Sequence, residues 1–177
     1  MPSRSSTTSG IFPTSIPSVR LVVRPRNCNS DRCSNAVVSN NALTSLPNNL
    51  TTLGSLKKIS AAHNKLTPAG LPDLSLLSQL REIKFNDNPS LVSLPPHLSS
   101  WGKGSLSHLA EFRGKRAPGL EVVDLGNCGF EEWYDLAPLA GQSGIVNLVL
   151  KGTKVAEEAK VDGFEDYKSK VSLSFLS

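Results

Sequence analysis

The sequence predicts an α/β fold in which short parallel strands alternate with helical or irregular connections. One eleven-residue pattern occurs five times, with starts at Cys33, Leu56, Leu80, Leu120 and Ile145. Three of the four intervals between these starts are 23, 24 and 25 residues, which is typical of stacked structural repeats. Within each copy, apolar residues alternate with polar ones, as they do in a strand that buries one face.

The composition indicates one globular domain that carries a polar amino-terminal extension. Of the 177 residues, 38% are hydrophobic but only 6% are aromatic, so the core must consist mainly of Leu, Val, Ile and Ala. Residues 1–32 are rich in Ser, Thr and Arg and are predicted to be a disordered tail. The alternative for residues 1–30 is an organelle-targeting peptide, since such peptides are rich in Arg and Ser and poor in acids. No apolar run reaches the roughly 20 residues of a membrane helix.

Residues 33–155 are predicted to hold about five repeats, each with two strand residues in the core. These pairs are Ile59 and Ala61, Ile83 and Phe85, Val123 and Leu125, and Leu148 and Leu150. A polar residue recurs after each strand, where the chain must turn: Asn41, Asn64, Asn88, Cys128 and Thr153. The amide of Asn can donate to and accept from backbone groups that are buried at such a turn. We therefore predict a structural ladder at these positions.

The pattern L-x-x-L-x-L-x-x-N/C-x-L resembles that of the leucine-rich-repeat family, in its intracellular type, over about residues 33–171. The resemblance implies a solenoid with short parallel strands on a concave face and a helical or irregular convex side. It also implies that Cys128 has a structural role, because cysteine is a known substitute for the ladder Asn in this family. Residues 156–177 resemble part of the family's C-terminal cap.

One interval departs from the period, because the starts at Leu80 and Leu120 are 40 residues apart. We expect an insertion near residues 99–119, which contain several glycines and the basic residues Lys103, Arg113, Lys115 and Arg116. Insertions in repeat proteins project as loops, and some of them bind partners. The alternative is a solvated loop that has no role.

No set of residues in the sequence predicts an enzyme. The three histidines, His63, His97 and His108, fall in different parts of the repeats, and the cysteines lack the spacing of a zinc site. The sequence has neither a nucleotide-binding glycine fingerprint nor a G-x-S-x-G nucleophile motif. We therefore predict no cofactor, no metal and no small-molecule substrate.

The resemblance implies instead that the outward strand positions bind another protein, as in an adaptor or a regulatory subunit. The predicted partner-binding residues are Lys57, Lys58, Ser60, His63, Arg81, Glu82, Lys84, Asn86, Asp87, Glu121, Asp124, Asn147 and Lys151. This surface is expected to be basic in the second and third repeats and acidic in the fourth. A cytoplasmic or nuclear location, without membrane association, is expected for such a protein.

Three alternatives to this function stay open at the level of sequence. The basic insertion, together with Lys57, Lys58, Arg81 and Lys84, could bind nucleic acid, and such binding would depend steeply on salt. The weak first repeat and the incomplete cap also fit a truncated piece of a larger repeat protein. The sequon at Asn49–Thr51 would suit an extracellular receptor fragment, although no secretory signal accompanies it.

Overall fold

Five short strands in one parallel sheet form the framework of the protein. The structure is a computed structural model, and it describes residues 34–103 and 119–159. The strands are β1 (Asn35–Val37), β2 (Lys58–Ser60), β3 (Glu82–Lys84), β4 (Val122–Asp124) and β5 (Asn147–Val149). They lie side by side in chain order, and every neighbouring pair is parallel. The predicted short parallel strands are therefore confirmed.

Several predicted features lie outside the described residues. They are the tail at residues 1–32, the first repeat start at Cys33, the middle of the insertion at residues 104–118 and the cap beyond residue 159. The same holds for His108 and for the basic residues Arg113, Lys115 and Arg116.

An apolar residue stands at the same level in each of the five strands. The register aligns Ala36, Ile59, Ile83, Val123 and Leu148. The first four are buried, whereas Leu148 is only partly buried. The next inward position is also buried in every copy, by Val38, Ala61, Phe85, Leu125 and Leu150. The side-chain alternation of the sequence thus places one face of the sheet on the core.

The connections between the strands are mostly short 3₁₀-helices. They span Asn48–Thr52, Pro68–Gly70, Pro96–Ser100 and Trp133–Gly141, and one α-helix, α1, spans Lys154–Ala159. Proline suits the first turn of such a helix, because its missing N–H has no partner there in any case. Buried leucines of these connections join the inward strand residues in one hydrophobic cluster. The helix α1 begins two residues before the predicted start of the cap, and its Val155 is buried.

The packed body extends into both ends of the predicted insertion. Trp101 is fully buried and meets Phe85 edge to face, with ring centroids 6.4 Å apart. Gly102 and Gly119 come together where the chain leaves and returns, since a Cβ built on Gly102 would lie 3.0 Å from the carbonyl carbon of Gly119. The described residues on the two sides of residues 104–118 therefore lie close together, and β3 and β4 pair directly.

Candidate binding face

The side of the sheet away from the core is built from the alternate strand positions, and we call it the open face. Its first row, across the strands, is Asn35, Lys58, Glu82, Val122 and Asn147, and its second row is Val37, Ser60, Lys84, Asp124 and Val149. All of these side chains are exposed or partly exposed. Six of them belong to the predicted partner-binding set.

The charged side chains at the centre of the open face form ion pairs with one another. The carboxylate of Glu82 lies 3.0 Å from Nζ of Lys58 on the neighbouring strand and 3.5 Å from Nζ of Lys84 on its own strand. All three side chains are partly exposed, so each pair contributes only about 0.2–1 kcal/mol to stability. Glu82 offsets only one of the two positive charges, so Lys58, Glu82 and Lys84 together keep one net positive charge, and the expected basic surface over β2 and β3 stays a prediction.

The guanidinium group of Arg81 is hydrogen-bonded to backbone carbonyls of the protein. Its Nη1 donates to the carbonyls of Ser78, Leu80 and Gly102 at 2.8–2.9 Å, and its Nε lies 3.8 Å from Glu121. These bonds tie the start of β3 to the glycine at which the insertion leaves. One nitrogen of the guanidinium group thus already has internal acceptors, while the part of Arg81 in partner binding stays a prediction.

A row of left-handed residues follows the strands, and the sequence reasoning did not find it. Asn40, His63, Asp87, Asn127 and Gly152 have φ values of 59°, 53°, 58°, 54° and 73°. Each stands one position before a ladder residue. Asn, Asp, His and Gly are the residue types that adopt this conformation most readily. The recurrence of these residue types at one position of the pattern could have predicted the left-handed conformation.

The side chains of this row bind one another across neighbouring repeats. Oδ1 of Asp87 accepts from Nδ2 of Asn127 at 2.8 Å, and Oδ2 lies 3.4 Å from Nε2 of His63. Asn86 also donates to the same carboxylate. The bond from Asn127 is the main cause that lowers the pKa of Asp87, and burial opposes it slightly. The side chains of Asn86, Asp87 and Asn127 are thus already hydrogen-bonded within the protein, and His63 lies within ion-pair distance of Asp87.

Beneath this row, the ladder residues lie where the pattern places them. Nδ2 of Asn88 donates to the carbonyls of Ala61, Phe85 and Asn86, and its Oδ1 accepts from the N–H of Leu66. Asn64 repeats this arrangement one strand earlier. Both side chains are buried. Each Asn therefore links its own turn to the turn before it.

The other three ladder positions, Asn41, Cys128 and Thr153, form fewer hydrogen bonds than Asn64 and Asn88. Asn41 donates only to Val38 and Ser39, which belong to its own turn. Sγ of Cys128 donates to the carbonyl of Phe85 at 3.2 Å, and burial raises the pKa of the thiol to about 12. Oγ1 of Thr153 donates to the carbonyl of Leu150. Cys128 therefore stays protonated and engaged at neutral pH, which does not suit a nucleophile.

Gln142 is a second buried amide, which the sequence reasoning missed. Its Oε1 accepts from the N–H of Leu120, and its Nε2 donates to the carbonyls of Leu98 and Trp101. Gln142 thus connects backbone groups on the two sides of residues 104–118. No ladder residue bonds to these groups in the described part of the chain. No motif marked this position, because the need for it arises only once β3 and β4 are paired.

The open face is apolar at its β4–β5 end. Val122 and Val149 are partly exposed on neighbouring strands, and Val146, directly before β5, is 60% exposed. We call these three residues the valine patch. Asp124, which is in register with Val149, and Lys151, two residues beyond it, form no ion pair with another described residue. Charges that are free to meet a partner are thus found beside apolar surface.

The remaining chemistry-bearing residues are dispersed. His97 lies away from the open face, where it stacks on Trp101 with ring centroids 6.0 Å apart, and its Nε2 lies 3.2 Å from the carbonyl of Leu71. Within residues 34–103 and 119–159, no three His, Cys, Asp or Glu side chains are grouped so that they could hold a metal. Over the same residues, no helix is long and apolar enough to cross a membrane.

Comparison with known proteins adds no assignment. No model of a known protein family matches the chain, and no curated protein matches it. Function must therefore be argued from the open face itself.

Proposed function

We propose that this chain is a leucine-rich-repeat solenoid that binds another protein through its open face, as an adaptor or regulatory subunit does. The fold part of the proposal is supported by three features that recur together after each strand. These are an apolar pair, a left-handed residue and a ladder residue that bonds the turn. Sequential parallel strands with short helical connections fit the same architecture.

The observation that carries the function is the open face, five strands wide and in register. Such an extended surface suits a macromolecular partner, because repeat proteins use broad surfaces of this kind for binding. Its mixture of polar and apolar residues is compatible with a protein interface, because such interfaces are about as apolar as the rest of a protein surface.

The charges of the open face weigh against nucleic acid as the partner. Phosphate binding draws on cations that are free to replace counterions. Here Lys58 and Lys84 share Glu82, and Arg81 holds backbone carbonyls. The cations at the centre of the described face therefore already have internal partners, and Lys58, Glu82 and Lys84 together keep only one net positive charge.

Site-specific photo-cross-linking from the full chain tests the proposal. A photoreactive residue is placed at Ser60 or Asn147 on the open face, and the control has it at Tyr134, which is 77% exposed in the connection after β4. In a lysate of the source cells we expect discrete protein adducts from Ser60 or Asn147 and none from Tyr134. Adducts with nucleic acid, or equal protein adducts from Tyr134, would contradict the proposal.

A further inference from the structure

The centre of the open face is poorly suited to supply binding energy. A partner that placed a charge over Lys58, Glu82 or Lys84 would have to compete with ion pairs that already exist at 3.0–3.5 Å. The new contact would replace an old one, and its net gain would be small. The strongest contribution must therefore come from another part of the face.

The valine patch is the part that gains most from being covered. Removal of exposed valine surface from water is favourable in proportion to its area, and no internal interaction is lost in return. Val146 is the most exposed of the valines near the sheet, at 60%. Val122 on β4 and Val149 on β5 lie diagonally on the two adjacent strands, since the register pairs Val122 with Asn147 and Asp124 with Val149.

Two charges flank this patch, and they differ from those at the centre. Oδ1 of Asp124 accepts from the N–H of Gly126 at 3.2 Å, and Lys84 on β3, which is in register with Asp124, forms its ion pair with Glu82 instead. Lys151 is exposed on the other side of Val149. A partner that covers the valines therefore encounters a carboxylate toward β4 and an ammonium group beyond β5.

We infer that the partner docks on the valine patch with a polypeptide segment that carries an apolar side chain, a Lys or Arg toward Asp124, and an Asp or Glu toward Lys151. This inference rests on the proposed function and narrows it to one end of the face and one chemistry. Complementary charge adds selectivity and orientation, while the valines supply affinity.

The opposite end of the face offers a matched comparison. Val37 on β1 is 40% exposed, but its neighbours across and along the sheet are uncharged, and nearby Ser39 and Ser60 hydrogen-bond to each other at 3.0 Å. It resembles the valine patch in exposure and lacks the flanking charges. Val37 therefore serves as the control position.

The test uses a displayed library of random peptides that is selected on the purified full chain. We expect enriched peptides to carry an apolar residue with a basic residue on one side and an acidic residue on the other. Val146→Asp is expected to weaken their binding by at least about tenfold, whereas Val37→Asp changes it by less than about twofold. Asp124→Asn retains the acceptor for Gly126 and is expected to remove the preference for the basic residue. Lys151→Gln is expected to remove the preference for the acidic one.

The outcomes separate this inference from the proposed function. Enriched peptides that are insensitive to Val146→Asp and Asp124→Asn, but sensitive to Lys58→Ala or Lys84→Ala, would overturn the inference and leave the open face as the binding surface. Peptides that are insensitive to every one of these substitutions, or a selection that enriches none, would overturn both. Circular dichroism and thermal unfolding of each variant show that the fold is retained.

Discussion

Replacement of Asn88 by Ala tests how the ladder stabilises the stacked turns. The substitution removes three donated bonds and one accepted bond from a fully buried side chain. The three carbonyls keep other partners, from Asn64, Cys128 and the N–H of His63, but no other described group accepts from the N–H of Leu66. A buried donor without an acceptor costs about 1–3 kcal/mol, and the lost bonds to carbonyls add further fractions. We expect Asn88→Ala to lower the free energy of unfolding by about 3–5 kcal/mol.

The control is Asn41→Ala, at the same position of the pattern but in the first described turn. Asn41 is only partly buried and bonds within its own turn, so its loss is expected to cost about 1 kcal/mol. Urea titration followed by the fluorescence of buried Trp101 measures both free energies by linear extrapolation. An equal cost for the two substitutions, or a cost below about 1 kcal/mol for Asn88→Ala, would refute the view that bonds between turns make the ladder structural.

Three further predictions follow from individual positions. Gly102→Ala is expected to destabilise the protein by about 2 kcal/mol or more, because φ is +72° and a Cβ would lie 2.2 Å from the carbonyl oxygen of Leu80. The control is Gly54→Ala, since no atom lies within 4 Å of a Cβ at that position. Thermal unfolding should show the control to be neutral or mildly stabilising. Lys58→Ala should change the urea-derived stability by less than about 1 kcal/mol, since its ion pair with Glu82 is partly exposed. Burial raises the pKa of the Cys128 thiol from 9.0 to about 12, so the unfolded chain releases this proton first as the pH rises. The contribution of this thiol should be complete below pH 9 and lost between pH 9 and 12, a difference that Cys128→Ala abolishes; identical pH profiles for the two proteins would contradict the assignment.

The regular parts of the fold were predictable because they depend on local periodicity. Alternation at Ile59 and Ala61, or at Ile83 and Phe85, fixes which strand face is buried, and the recurring Asn marks the turn that needs an amide. These signals are contained in eleven residues and need no knowledge of neighbouring repeats. The strands and the positions of Asn64 and Asn88 accordingly agree with the pattern.

The chemistry of the open face depends on register and could not be predicted in the same way. Whether Lys58 is free or paired depends on its alignment with Glu82, and this alignment crosses two repeats. The role of Arg81 depends on the carbonyl of Gly102, at a joint that exists only because the insertion leaves there. Gln142 likewise acts on backbone groups 22 to 44 residues away in the sequence. The sequence therefore predicts where polar residues occur, but it does not predict the hydrogen bonds and ion pairs that they form within the protein.

The contrast between paired and free charges has a general consequence for the predicted site. Residues that a sequence presents as a basic binding surface, such as Lys58 and Lys84, can share an internal carboxylate that offsets part of their charge once the strands align. Charges beside apolar surface, such as Asp124 and Lys151, then carry more of the recognition. The binding site is accordingly expected toward β5, away from the most basic part of the sequence.

Lysine footprinting tests whether the partner covers the open face toward β5. The complex is isolated through the cross-linker at Asn147. Lys57 and Lys151 lie at the margins of the open face, whereas Lys65 is exposed outside it, after the ladder residue Asn64. Acylation rates are compared between the free chain and the complex. We expect Lys151 to be protected most, Lys57 to be protected less and Lys65 to react unchanged. Protection of Lys65 with unchanged reactivity at Lys57 and Lys151 would show that the partner binds outside the open face.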